Sequence, residues 1–202
     1  MEQSRNPNRP RKGDIIKVSP IRKKEHIEAI KILLANKPRD LAIFVLGINT
    51  ALRASDLLRI TVGQVEHLEV GESFAIREKK TKKVRKVFLN EASHAAIQAY
   101  LKVRRETGAN APLFLSRVGK GRNRSITVSY LNNLMKRWCK TVGIRENIGS
   151  HSLRKTWGFQ QRMKGTGVPI LMVAMNHSKQ FQTLSYLGIE DEELMDAFLQ
   201  AI

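Results

Sequence analysis

Thr50-Ala51-Leu52-Arg53-Ala54-Ser55-Asp56-Leu57-Leu58 decides how the chain is to be read, because it carries a single arginine out of one helix and to the head of another. The largely apolar run from about Arg39 to Thr50 follows Pro38, a residue that opens helices and does not continue them. Ser55 is placed to cap the short helix that comes next. Toward the N-terminus, Ser19-Pro20 supplies an N-cap and a first-turn proline for a helix whose inner face is Ile27, Ile30, Leu33 and Leu34. Residues 1–18 carry Arg5, Arg9, Arg11, Lys12 and Lys17 among Asn, Pro and Gln without apolar periodicity. They are expected to be a mobile basic arm that either grips phosphates or keeps the chain soluble.

Toward the C-terminus, two runs of β character, Ser73 to Arg77 and Val84 to Leu89, flank Lys79-Lys80-Thr81-Lys82-Lys83 and predict a hairpin with a charged tip. Asn90 caps a helix bearing Ile97, Tyr100 and Leu101, which Gly108 ends. The loop Gly119-Lys120-Gly121-Arg122-Asn123-Arg124 suits phosphate contact and equally a solvated surface. Thr127 opens a helix that runs through Trp138 and closes at Gly143, with Leu134, Met135, Trp138, Cys139 and Val142 at helical spacing. Ser150 caps a further helix beginning at His151, and Gly165 and Gly167 interrupt the chain before Ile170-Leu171-Met172-Val173. The segment Glu190 to Ile202, with Leu194, Met195, Phe198 and Leu199, has the spacing of an amphipathic helix. The expected class is α+β, mainly helical, with one small antiparallel hairpin, and residues 19–202 form one domain after the arm.

Charge narrows the function. The 202 residues hold 36 Lys plus Arg against 18 Asp plus Glu, a formal charge of +18 that repels itself unless a polyanion neutralises it. Nucleic acid fits best, because phosphate neutralisation releases condensed counterions. No apolar run is long enough for a membrane span and the N-terminus has no signal-peptide core, so a cytoplasmic, nucleoid-associated protein is expected. The single cysteine, Cys139, excludes a disulfide within one chain and reads as a buried structural thiol.

Four separated segments carry residue types that phosphoryl transfer needs. The first is Arg53, whose guanidinium can hold two phosphate oxygens. The second is the hairpin tip, where the ammonium of Lys80, Lys82 or Lys83 can protonate a departing oxygen; nothing in the tip itself chooses among them. The third is His151-Ser152-Leu153-Arg154, in which a spacing of three puts His151 and Arg154 on one helical face. The fourth runs from Asn176-His177-Ser178 to Tyr186, nine positions after His177. Tyr186 is one of three tyrosines, and the other two, Tyr100 and Tyr130, fall on stripes read as core. Each fragment alone is more often structural; the ordered set is the signal.

In that order, over roughly residues 19 to 190, the segments resemble the tyrosine site-specific recombinases of the phage integrase family. The resemblance implies that family's catalytic fold, with Arg53, Lys80, His151, Arg154, His177 and Tyr186 as catalytic residues. Asp56, where the family carries an acid, is placed to orient a neighbouring catalytic side chain and equally to compensate the dipole at the start of its helix. Asn176 stands where the family usually has glycine, a departure that costs little if the backbone there is left-handed, since Asn tolerates that conformation. By the resemblance, Tyr186 attacks a phosphate of double-stranded DNA and leaves a 3′-phosphotyrosine and a 5′ hydroxyl. A second 5′ hydroxyl then reverses the attack, serving integration, excision or inversion.

No nucleotide cofactor is expected, and no Walker-type loop is present; no carboxylate cluster or His/Cys set calls for a metal. The family works as a tetramer on DNA, with accessory DNA-bending proteins in some systems. The terminal segment either docks on a neighbouring subunit or packs on its own domain. No separate N-terminal DNA-clamping domain is expected in these residues, so the chain resembles the small catalytic-domain-only recombinases or a piece of a longer integrase. Two alternatives share the charge: a basic DNA binder without chemistry, and a type IB topoisomerase-like enzyme.

Overall fold

The computed structural model describes residues 18–104, 108–116, 124–184, 186, 187, 189, 195 and 198–200. Eight α-helices and one short 3-10 turn, Val62–Gln64, lie among them: α1 Lys24–Leu34, α2 Pro38–Asn49, α3 Ala54–Leu57, α4 Glu91–Val103, α5 Val128–Thr141, α6 His151–Met163, α7 Val168–Ala174 and α8 Gln180–Leu184. One antiparallel hairpin, β1 Ser73–Arg77 and β2 Val84–Phe88, pairs Ser73 with Phe88 through Arg77 with Val84. None of the described helices is long and apolar enough to cross a membrane.

Helix α2 is the axis of the molecule. Ala42, Ile43, Phe44, Val45, Leu46 and Gly47 are all buried, so it is covered on nearly every side, and it packs against α1, α4 and α6. The α2–α6 crossing is close: a Cβ added at Gly47 would lie 2.6 Å from Leu153 Cδ1. Phe44 meets Trp138 of α5 edge-on at 6.3 Å, and Tyr100 stacks on Phe114 at 6.2 Å. Each such ring, taken out of water, contributes about 1.5–3 kcal/mol. In the hairpin the period of two turns Phe74, Ile76 and Val87 inward, which fixes its register against the core.

Several local expectations hold and several are corrected. Asn90 accepts from Ser93 N and Thr127 from Tyr130 N, as caps should, and Gly143 follows α5 at φ 82°. The first helix, however, begins at Lys24, not after Ser19-Pro20. Ser19 N bonds Asn147 O and Ile21 N bonds Thr156 Oγ1, so residues 19–21 are strapped across the domain ahead of the helix. Arg53, not Ser55, occupies the N-cap position of α3. Helix α4 ends at Val103 rather than at Gly108, because buried Arg104 leaves the helical backbone (ψ 134°) to donate to the carbonyls of Pro112 and Leu113. Ser150 itself is helical and makes no side-chain cap; Asn132 Oδ1 accepts from its N–H instead. Tyr130 is not core but 41% exposed, with Arg39 over its ring. Cys139 is buried, and burial pushes its thiol up to about 12. The basic arm up to residue 17 and the glycine-rich loop apart from Arg124 lie outside the described residues, as does most of the terminal segment.

Candidate active site

Arg154 anchors the site. Its side chain leaves the first turn of α6 and is 1% exposed, and its hydrogen bonds run to backbone carbonyls and a histidine. NH1 donates to Ala51 O at 2.8 Å, and NH2 donates to Met175 O and faces His177 Nε2 at 2.9 Å. Burial first, then the nearby charges of Arg53 and Arg85, lower its pKa to about 10, so it stays cationic at neutral pH. Ala51 presents that carbonyl from a left-handed backbone (φ 52°), and Arg85 of β2 donates to the carbonyls of both Thr50 and Ala51. The segment that decided the sequence reading is thus clamped by two arginines, one from α6 and one from the hairpin.

Arg53, half-buried, donates from NH1 to Glu78 Oε2 at 2.5 Å. Asp56 is fully buried and accepts from Lys79 N at 2.8 Å, so the hydrogen-bond partner of its acid is the backbone of the hairpin turn beside Lys80 and not a catalytic side chain. Lys80 is exposed at that turn, and its charge reaches His151 across the site. His151 begins α6 with its side chain exposed; partial burial first, then Arg154, Arg53, Lys80 and Lys155, hold it below the usual imidazole range.

His177 lies on the other side of Arg154. Because a guanidinium only donates, Nε2 must be the accepting nitrogen, and Nδ1 therefore carries the proton and donates to Thr183 Oγ1 at 3.0 Å. Burial, then Arg154 and Arg53, bring its pKa down to about 4, in keeping with a neutral ring. Asn176, just before it, has φ 50°, so the left-handed backbone expected there is present.

Tyr186 follows α8 in a tight turn: its N–H bonds Thr183 O at 2.8 Å, and Leu187, 1% exposed, anchors the turn against Gly158 of α6. The half-buried ring lies 5.2 Å from the His177 ring. Arg154 Cζ and Lys155 Nζ each lie 5.6 Å from its centroid. The structure therefore brings Arg154, His177 and Tyr186 into contact, and places Arg53 within electrostatic reach of Arg154 and His177, His151 within reach of Arg154, and Lys80 within reach of His151. Among the described residues no group of three or more His, Cys, Asp or Glu is arranged to hold a metal ion.

Sequence reasoning passed over Glu78, Arg85, Lys155 and Thr183. Glu78 had a signal: it is the one acid in the run from Arg77 to Lys86. It is fully buried, and although burial opposes its ionisation, hydrogen bonds from Thr81 and Arg53 outweigh that and hold it below the usual carboxylate range. Thr183 had none, since an isolated threonine has no pattern to betray it.

Residues 21–193 match the model of the phage integrase family. The chain is 33% identical over 182 residues to the probable integrase/recombinase YoeC of Bacillus subtilis, covering 90% of this chain and 95% of that one. It is 30% identical to the tyrosine recombinase XerC of Caldanaerobacter subterraneus, over 80% of this chain but only 44% of the relative. Among solved structures, the XerA recombinase superposes with a TM-score of 0.73 at 18% identity, over 89% of this chain and 64% of that one. The catalytic domain of bacteriophage HP1 integrase is similar at a TM-score of 0.57 and 18% identity, over 90% and 94% of the two chains.

Proposed function

The chain belongs to the phage integrase family, and from that membership we propose a site-specific recombinase that breaks and rejoins double-stranded DNA through Tyr186, with residues 19–202 acting as one catalytic domain. The observation that carries the reading is the Tyr186 ring lying against both members of the hydrogen-bonded Arg154–His177 pair in one subunit.

Arg154 and Arg53 hold the nonbridging oxygens of the scissile phosphate and stabilise the charge that grows there. A free phenol titrates near ~10, so attack at neutral pH requires a base and a cationic surround. His151, held below the usual imidazole range by partial burial and its cationic neighbours, takes the phenolic proton. The Tyr186 oxygen bonds to phosphorus, the bond from phosphorus to the 5′ oxygen breaks, and Lys80 protonates that oxygen. A 5′ hydroxyl from the partner duplex then attacks, phosphorus leaves the tyrosine, and the phenol recovers its proton. One phosphoester replaces another throughout, so no nucleotide is consumed. His177 donates to a nonbridging oxygen if its proton moves to Nε2, which the rotatable Thr183 hydroxyl permits by turning from acceptor to donor.

Exchange between two duplexes requires several protomers, and a tetramer on DNA is the assembly proposed. Met195, Phe198 and Leu199 stand exposed, which supports contact with a neighbouring subunit by the terminal segment. Affinity for the site then comes from this domain, the basic arm, cooperativity and DNA-bending partners. Incubation with nicked duplexes from flanking genomic DNA tests the whole reading: a covalent adduct forms at one mapped sequence, and Tyr186→Phe abolishes it. A basic binder without chemistry gives no adduct, and a topoisomerase-like enzyme gives one without joining two sites.

A further inference from the structure

Three remote segments meet on one oxygen. Glu78 Oε2 accepts from Arg53 NH1 at 2.5 Å, from Thr81 Oγ1 at 2.7 Å and from Asn176 Nδ2 at 2.7 Å. These donors come from the head of α3, the hairpin turn and the turn before His177, and the carboxylate that joins them is completely buried. The backbone of the same residue closes the turn, through Glu78 N to Lys83 O and Lys82 N to Glu78 O. Both neighbours of Lys80 are thereby fixed to site carboxylates, Lys79 N to Asp56 and the Thr81 hydroxyl to Glu78, while the Lys80 side chain stays exposed.

We propose that Glu78 is a positioning residue which, through Thr81 and Asn176, docks the Lys80 turn against Arg53, so that the ammonium swings from a fixed base. The inference rests on the assignment of Lys80 as the group that protonates the leaving oxygen. It gives Asn176 a task that its conformation alone does not explain. A glycine would also accept φ 50°, but it would bring no amide to Glu78, so the side chain is the part that ties the hairpin to the His177 turn.

The experiment is single-turnover cleavage by the full chain on its mapped nicked duplex, beside the same duplex with sulfur replacing the bridging 5′ oxygen. Sulfur leaves as a thiolate and needs no proton, so loss of a positioned acid is repaired while general damage is not. Lys80→Ala is the reference. Thr81→Val and Asn176→Gly are each expected to slow the oxygen substrate by roughly 10²-fold, as for a catalytic group displaced by about an ångström, and to cleave the sulfur substrate at the rate of the unaltered protein. Glu78→Gln is expected to behave likewise; because it alters a buried charge and can cost folding, the two milder variants decide. Equal slowing of Thr81→Val and Asn176→Gly on both substrates, or no slowing on either, overturns the junction. If Lys80→Ala itself stays slow on sulfur, the acid is another group, and the proposal falls for that separate reason.

Discussion

Arg154 and Lys80 are both cations of the site, and the fold treats them in opposite ways. Arg154 is 1% exposed and spends its donors on the carbonyls of Ala51 and Met175 and on His177, whereas Lys80 stands exposed on a turn whose flanks are pinned. The difference follows from chemistry. A guanidinium keeps its proton even when buried and can therefore serve as a structural post that also neutralises phosphate; an ammonium that must give up a proton has to reach its target and come back. The α6 side is thus rigid and over-determined, and the hairpin side is rigid in backbone only.

Arg154→Ala is the strongest way to break that contrast, since it removes a charge proposed to act on phosphate, takes the donor from the buried Met175 carbonyl and leaves the Ala51 carbonyl to Arg85 alone. It is expected to cost about 2–5 kcal/mol in urea unfolding and to eliminate measurable adduct. Retained stability would mean that Arg154 is not a structural post. Lys80→Ala is expected to lower cleavage by ~10²–10⁴-fold and to leave the unfolding midpoint within about 0.5 kcal/mol of the parent. A comparable loss of stability would erase the distinction between the two sides.

Gly47→Ala probes the rigid side indirectly. The new methyl meets Leu153 Cδ1 at 2.6 Å, and Leu153, being 1% exposed, cannot swing into solvent. Overpacking should exceed the gain in helix propensity by about 1 kcal/mol, lower the melting temperature, and slow cleavage because Leu153 adjoins Arg154.

The smallest effect is on pH dependence. His177 titrates at about 4 when folded, against ~6.5 for a free imidazole, so over that window the unfolded chain binds more protons. Stability is therefore complete above ~6.5 and falls as pH drops toward about 4, with His151 adding to the same slope. Urea midpoints measured across this range should fall less steeply in His177→Gln; an unchanged slope would assign the acid sensitivity to other groups.

How much of this was legible differs from element to element. The hairpin was read nearly to the residue because alternation and a charged turn are local signals, and the caps at Asn90 and Thr127 were read because a cap acts within three residues. The starts of α1 and α3 and the end of α4 were misplaced where a distant partner took the local group: Asn147 and Thr156 for the Ser19–Ile21 strap, Glu78 for Arg53, the carbonyls of Pro112 and Leu113 for Arg104.

By itself, the order of residues determined the strongly basic charge and the mainly helical class with its hairpin, since these depend on composition and period; the six candidate side chains came from the resemblance of four ordered segments to a known family. Tertiary structure alone decided that Glu78 gathers Arg53, Thr81 and Asn176, that Arg85 clamps Thr50 and Ala51, and that His177 accepts through Nε2 while Thr183 receives its proton. Hydrogen bonds that join positions 98 residues apart, as Asn176 and Glu78 are, leave no trace in local pattern; they exist only once the core has fixed where each backbone ends.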